Sequence, residues 1–327
     1  MSRFIDAISF RVGTRSSGVF GCLLRGVAMT LLDLNEMFDT NDKCRELLKR
    51  LRWPSGVECI RCHMPVVRLQ TKKELYFCRD CDYQFSVTAG TIFNDSHLPL
   101  KTWFIATLLL CEAKKGMSAH QFKRTMWGKH KGSYKTAWYL FHRIRAAMAE
   151  AERPMLDGTI EMDETYVGGV KRGIGAKAAK AAKEVVIGIR QRGGDVRFFH
   201  AEDAKSRTLA RYIQENISQD VDVIVTDEWP AYDRAVGAHK HETVNHWQKE
   251  YVRVGTDIHT NTVESAFSLL KRGIMGSWHK ISAKHLPAYL AEMEFRFNRR
   301  KRPDLFIDTL RHMVTTDPLT FEALTAA

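Results

Sequence analysis

From Leu31 to Leu51 apolar residues recur three and four positions apart, at Leu31, Leu34, Met37 and Phe38 and again at Cys44, Leu47, Leu48 and Leu51. That spacing predicts helix, broken near Thr40 to Asp42. The preceding residues, 1–28, carry Gly and Ser without a regular period and are expected to form a flexible tail. Beyond residue 53 the pattern shortens, with Val66 to Phe77 reading as a hairpin and Tyr83 to Val87 as a strand. Helical spacing returns between Leu100 and Glu150 in three segments. Trp103, Ile105, Leu108, Leu109 and Cys111 make the apolar face of the first, Phe122 and Met126 belong to the second, and Ala137, Leu140, Phe141 and Ile144 to the third. Ser118 and Ser133 are placed to cap the second and third.

At Thr159 the period changes to two. The stretch TIEMDETYVGG, 159–169, alternates acids with apolar and β-branched residues and closes on Gly-Gly, which predicts a strand and a turn. Lys171 to Lys183, rich in Ala, Gly and Lys, predicts a mobile basic loop. Two further strands, Glu184 to Arg190 and Val196 to Ala201, flank the turn Arg192-Gly193-Gly194-Asp195. A helix from Ser206 through Ile217 follows, then the β-branched run Val221 to Thr226, suited to a strand buried on both faces, with Asp227 at its end. Strand, strand, strand, helix, strand and then helices is the order of a ribonuclease-H-like core, a mixed sheet flanked by helices. The expected fold is an α+β or α/β multidomain chain. Its parts are a tail (1–28), a helical segment (29–52), a zinc ribbon (53–93), a helical DNA-binding domain (98–150), the ribonuclease-H-like catalytic domain (157–305) and a C-terminal tail (306–327).

The chain has 327 residues, 44% of them hydrophobic, enough for two or three domains with a sizeable core. Lys and Arg number 50 against 38 acids, a net charge of +12 that favours a polyanionic partner such as nucleic acid. No apolar run approaches the roughly 18–20 residues of a membrane span. A soluble, intracellular protein with no membrane partner is therefore expected.

Of seven cysteines, four form two pairs, Cys59-x-x-Cys62 and Cys78-x-x-Cys81, fifteen residues apart. Each pair turns two thiolates to one side of a tight loop, and two such loops supply the four sulfurs of a structural Zn²⁺ site. Unligated or redox thiols are the weaker alternative. Residues 111–150 carry nine Lys or Arg against Glu112 and Glu150. A packing helix followed by two short helices reads as a helix-turn-helix, with the helix after Ser133 as the groove reader and Lys129, Lys131, Lys135, Arg143 and Arg145 as phosphate contacts. A three-helix bundle with a basic face fits the same spacing equally well.

A carboxylate inside a strand is costly unless it is paired or binds a cation, which singles out Asp163. Asp227 lies 64 residues on and Glu264 another 37, within HTNTVESAFSLLKR, where Thr262 can cap a helix. Lys271 follows Glu264 by two helical turns, about 10 Å along the same side. Three carboxylates from two strands and a helix can hold a pair of Mg²⁺ ions, with Mn²⁺ as a substitute, for phosphoryl transfer on a phosphodiester. Glu161, Glu164 and Glu228 neighbour these positions and are set aside as decoys, because a one-residue shift in a strand turns a side chain to the other face.

MDETYVGG at 162–169, VTDEWPAY at 225–232, HTNTVESAFSLLKRG at 259–273 and EFRFNRR at 294–300, with the double CxxC before them, resemble the DDE transposases of bacterial insertion sequences, specifically the subgroup with an N-terminal zinc ribbon. The resemblance covers about residues 30–305. It implies that Asp163, Asp227 and Glu264 are the three catalytic acids and Lys271 the basic residue that often follows them. It also implies DNA strand transfer into target DNA by a multimer that brackets both element ends, in the cytoplasm of a bacterium and associated with its nucleoid. One departure is Ile60, where many such ribbons have Pro. Two alternatives stand beside a transposase: a nuclease of the same fold that cuts without joining, and a DNA-binding regulator whose acidic site is idle.

Overall fold

A computed structural model of the chain describes residues 28–66, 68–70, 74–150, 152–168, 183–245, 252–253 and 255–326. The expected N-terminal tail and basic loop lie outside these residues, apart from Ala28 and Lys183 at their edges. Leu31–Met37 (α1) and Asn41–Arg52 (α2) are two helices, each started by a threonine. Thr30 and Asp33 close a reciprocal capping box, and the Thr40 side chain accepts the Lys43 amide. The break between them falls at Phe38 to Thr40 because Thr40 takes an extended backbone to cap α2.

Arg68–Gln70 (β1), Leu75–Phe77 (β2) and Gln84–Phe85 (β3) form an antiparallel three-stranded ribbon. Its small core is aromatic, with the Trp53, Tyr76 and Phe85 rings 5.6–6.0 Å apart. Leu100–Glu112 (α3) is apolar nearly all round and runs through the middle of a helical bundle, as such a helix must. Ala119–Trp127 (α4) and Tyr134–Ala147 (α5) are capped by the Ser118 and Ser133 hydroxyls and pack through Phe122 and Phe141, 5.0 Å apart.

Thr159–Val167 (β4) is the central strand of a five-stranded sheet. Glu184–Gln191 (β5) pairs with it antiparallel and Val196–Ala201 (β6) extends that side. Ser206–Asn216 (α6) then crosses to Val223–Asp227 (β7), which runs parallel to β4, and Pro230–Ala235 (α7) leads to His241–Val244 (β8) at the other edge. The order β6-β5-β4-β7-β8 is a ribonuclease-H-like mixed sheet. One face buries Ile160, Met162, Ile187 and Ile224 under α6 and α7. The other buries Val186, Val196 and Phe198 under Asn261–Gly273 (α8) and Leu286–Asn298 (α9).

Residues 306–327 are expected as a tail, but the described ones among them, 306–326, return to the protein as helices. Leu305–Thr315 (α10) and Phe321–Thr325 (α11) return to the helical bundle, where Phe306, Leu310, Met313 and Val314 are buried. Phe306 meets Phe104 of α3 at 5.9 Å, and the Cys111 thiol lies 3.3 Å from the Thr309 hydroxyl. The expected helical segment, ribbon and helix-turn-helix therefore share one apolar core with the C-terminal helix. Helix α9 joins this bundle to the sheet. Its fully buried Glu292 accepts from Arg145 of α5 at 2.6 Å and from Arg296 at 2.9 Å. No helix among the described residues is long and apolar enough to cross a membrane.

Candidate active site

Strand β4 alternates between two environments. Ile160 and Met162 face the α6 side, while Glu161, Asp163, Thr165 and Val167 fall on the α8 side by the period of two. The parallel register pairs Glu161 with Val225, so two residues further along each strand Asp163 stands level with Asp227 and faces the same way. Glu264 lies in the first turn of α8, the helix that covers this face. Two strands and a helix thus present the three sequence-predicted acids to one another at the end of the parallel pair.

Each acid is held by its own surroundings. Asp163 Oδ1 accepts the Glu164 amide at 2.8 Å, Asp227 Oδ1 accepts the Trp229 amide at 3.0 Å, and Glu264 Oε1 accepts the buried Thr260 hydroxyl at 2.9 Å. Burial first, then the charges of Glu164 and Asp227 and more weakly Glu264, pushes the Asp163 carboxyl up to about 8. A bound cation would relieve that repulsion, and an all-carboxylate set suits a hard cation such as Mg²⁺ or Mn²⁺. The acids are more widely spread than the zinc ligands: among the described residues only the four cysteines bring three or more ligand atoms within 4.8 Å of one another. Lys271 is exposed in the last turn of α8.

Close approach of α8 to the sheet depends on one glycine. Gly188 of β5 is the register partner of Asp163, and a Cβ there would lie 2.5 Å from Cζ of Phe267. With no side chain at 188, the Phe267 ring rests directly on the sheet, which seats the turn bearing Glu264 beside Asp163.

Of the three residues set aside as decoys, Glu228 is exposed and Glu164 turns to the opposite face, where its Oε2 accepts the buried Tyr232 hydroxyl at 3.0 Å. Glu161 behaves differently. It is wholly buried, and Oε2 accepts the amides of Thr262 and Val263 at 2.8 and 3.0 Å and the Thr262 hydroxyl at 2.7 Å. Thr262, expected to cap α8, is inside the helix, which starts after Thr260, so this remote carboxylate satisfies the exposed amides of its first turn. The signal is present in the sequence: Glu161 is two residues from Asp163, hence on the same face rather than the opposite one.

In the ribbon, the Cys59 and Cys81 sulfurs lie 3.6 Å apart, those of Cys62 and Cys78 3.5 Å, and all four fall within 4.8 Å. Zn–S bonds of about 2.3 Å in a tetrahedron require sulfur pairs about 3.8 Å apart, close to these two separations, so the four thiols suit a zinc ion.

The expected phosphate contacts divide. Lys129, Lys131 and Lys135 are exposed around the turn between α4 and α5 and the start of α5. Arg143 and Arg145 are not: both are buried, Arg143 donating to the Asn94 carbonyl and stacking on Trp103, and Arg145 paired with Glu292. The expectation fails for these two because the second half of α5 packs against α9 and α10, leaving its first turn as the part that a groove could admit.

Residues 155–298 match the ISXO2-like transposase domain family and residues 39–84 the transposase zinc-ribbon domain family, together more than half of the chain. An uncharacterized protein in transposable element ISH50 of Halobacterium salinarum is 29% identical over 81% of this chain and 94% of that protein. Among solved structures, a chain of a simian T-cell lymphotropic virus intasome in complex with PP2A regulatory subunit B56 gamma aligns over 53% of this chain and 60% of that one. Its identity is 15% and its TM-score 0.26, too loose a superposition to bear on function.

Proposed function

This chain belongs to the DDE transposases of insertion sequences, in the group that carries a zinc ribbon, and from that premise we propose that it cuts and joins DNA through Asp163, Asp227 and Glu264. The observation that carries the reading is geometric: Asp163 and Asp227 stand level on the parallel strands β4 and β7, and Glu264 lies in the first turn of α8, the helix that covers the same face. Asp163, Asp227 and Glu264 would hold two Mg²⁺ ions, and the chemistry these would supply is Lewis acidity toward a phosphodiester undergoing in-line displacement. The zinc in the ribbon is structural and takes no part in the chemistry.

The chain's own groups set the geometry. Thr260 fixes the Glu264 carboxylate, the Trp229 amide fixes Asp227, and Lys271, exposed along the same helix, meets a DNA phosphate. Lys129, Lys131 and Lys135 neutralise phosphates of the element end away from the acids. In the first step a water oxygen attacks the phosphorus at the element end, forming one P–O bond and releasing the 3′ hydroxyl. That hydroxyl then attacks a target phosphodiester, forming a new P–O3′ bond and expelling the target's own 3′ oxygen. A homo-oligomer bound to both ends within the nucleoid places the two 3′ hydroxyls on one target.

The test is a reaction of purified protein with DNA carrying the element's ends, read on a gel that separates hydrolysed from joined products. Asp163→Asn, Asp227→Asn and Glu264→Gln should each abolish both products while end binding stays within a few-fold of wild type. Strand transfer at the wild-type rate in any one of them overturns the assignment. Cutting without joining by the unaltered protein identifies a nuclease instead.

A further inference from the structure

We propose that Glu161 is a positioning residue for the metal site, the side chain that sets where Glu264 stands relative to Asp163. The inference rests on the proposed ligand set of Asp163, Asp227 and Glu264 and goes one layer behind it.

Glu161 is fully enclosed in mid-strand, and an ionised carboxylate there is strongly unfavourable unless its oxygens are met by donors. Oε2 takes three of them from the first turn of α8. Oε1 accepts Nε of Arg192 at 3.0 Å and lies 3.2 Å from Nδ1 of His259. Arg192 extends the tie: its guanidinium also donates to the Asp257 carbonyl and carboxylate at 2.6 and 2.8 Å and to the His259 carbonyl at 3.1 Å. One carboxylate and one guanidinium therefore hold both the segment leading into α8 and the start of the helix.

Position turns this anchor into a device for the site. Glu161 is two residues before Asp163 on one face of β4, and the amides it binds, at 262 and 263, are two residues and one residue before Glu264. Strand and helix are thus pinned at one end of a short lever, and the two carboxylates that must share a cation project from it immediately beyond the pin. Replacing Glu161 frees two amides and a hydroxyl and leaves Arg192 facing a neutral group, so the first turn of α8 can shift or fray. Partners that orient ligands from behind typically contribute 10–100-fold to metal affinity.

The experiment is a double-mutant cycle on full-length protein with Mn²⁺ as the probe, its dissociation constant read by electron paramagnetic resonance of the free ion. Glu161→Gln should raise that constant about tenfold in the wild-type background and less than twofold in the Glu264→Gln background, because a residue that acts through Glu264 has nothing left to position. Hydrogen exchange in metal-free protein should show the Thr262 and Val263 amides losing protection. Thr262→Ala, which removes one of the three donors and keeps the fold, should give a two- to fivefold weakening with the same dependence on Glu264, and carries the comparison if Glu161→Gln does not fold. An unchanged constant, or an equal loss in both backgrounds, overturns the proposal and leaves Glu161 a purely structural cap. If Glu264→Gln alone leaves Mn²⁺ affinity unaltered, the ligand assignment falls instead, and the proposal with it.

Discussion

Gly188→Ala places one methyl group where α8 meets the sheet. The added carbon would lie 2.5, 3.0 and 3.2 Å from three ring carbons of Phe267, whereas carbon atoms rest about 3.5–4.0 Å apart. The ring cannot swing clear, because it is buried and packed against Phe198 with centroids 5.5 Å apart. The helix must lift from β5 by about 1 Å, and Glu264, one turn before Phe267, lifts with it. Such overpacking typically destabilises a fold by about 1–3 kcal/mol, which the remaining cores should survive. The effect on chemistry is larger, since a 1 Å misplacement of a reacting group can lower a rate about 100-fold. We expect joined product to form about 100-fold more slowly in Gly188→Ala, Mn²⁺ to bind more weakly, and binding to DNA ends to stay near wild type. Shortening the opposing side chain should compensate: Gly188→Ala with Phe267→Leu should recover most of the rate, although Phe267→Leu alone loses packing. Strand transfer within threefold of wild type in Gly188→Ala, with unaltered Mn²⁺ affinity, would refute the claim that this contact sets the height of Glu264.

Asp163→Asn should stabilise the metal-free protein at pH 8.5 and leave it unchanged near pH 4, as measured by urea unfolding. The folded carboxyl titrates near 8 and the unfolded one near 3.8, so the folded state holds an extra proton between those values and loses stability as pH rises through the window. Each tenfold change in proton affinity between the two states corresponds to about 1.4 kcal/mol, and a gain that does not grow with pH would contradict the electrostatic reading. Arg145→Ala should lower stability by about 3 kcal/mol, through loss of the ion pair with buried Glu292, while the salt dependence of DNA binding stays as it was. Lys129→Ala, Lys131→Ala and Lys135→Ala should do the reverse, each flattening the slope of log K against log salt by about one with little change in melting temperature. Stripping zinc with a chelator should unfold the ribbon and also lower the melting temperature of the bundle, because Cys59 and Cys78 lie in the same core as Leu47 and Phe122. An unchanged melt by circular dichroism would show that the two parts are independent.

Local chemistry is legible in the chain. The four cysteines carry their spacing with them, the helix starts at Ser118 and Ser133 follow from single hydroxyls, and a period of two places Asp163 in a strand without reference to anything distant. The C-terminal helix is legible too, since Leu305, Phe306, Leu310, Met313 and Val314 recur at helical spacing; the expectation of a tail follows the family resemblance, which ends near residue 305, and not this pattern. What only the tertiary structure decides is where charges go. Arg143, Arg145 and Lys135 look alike along the sequence, yet two are enclosed by α9, α10 and the loop before α3 while the third meets solvent. Glu161 and Glu228 are both acids beside a proposed ligand, and one is an anchor contacted by four residues while the other is exposed. The reason is physical: periodicity records which face of an element is apolar, through hydration of a single side chain at a time. Whether a charged group is buried depends on donors that arrive from residues tens or hundreds of positions away. Glu161 can sit inside the protein because Arg192 and the first turn of α8 reach it, and no local pattern encodes that meeting.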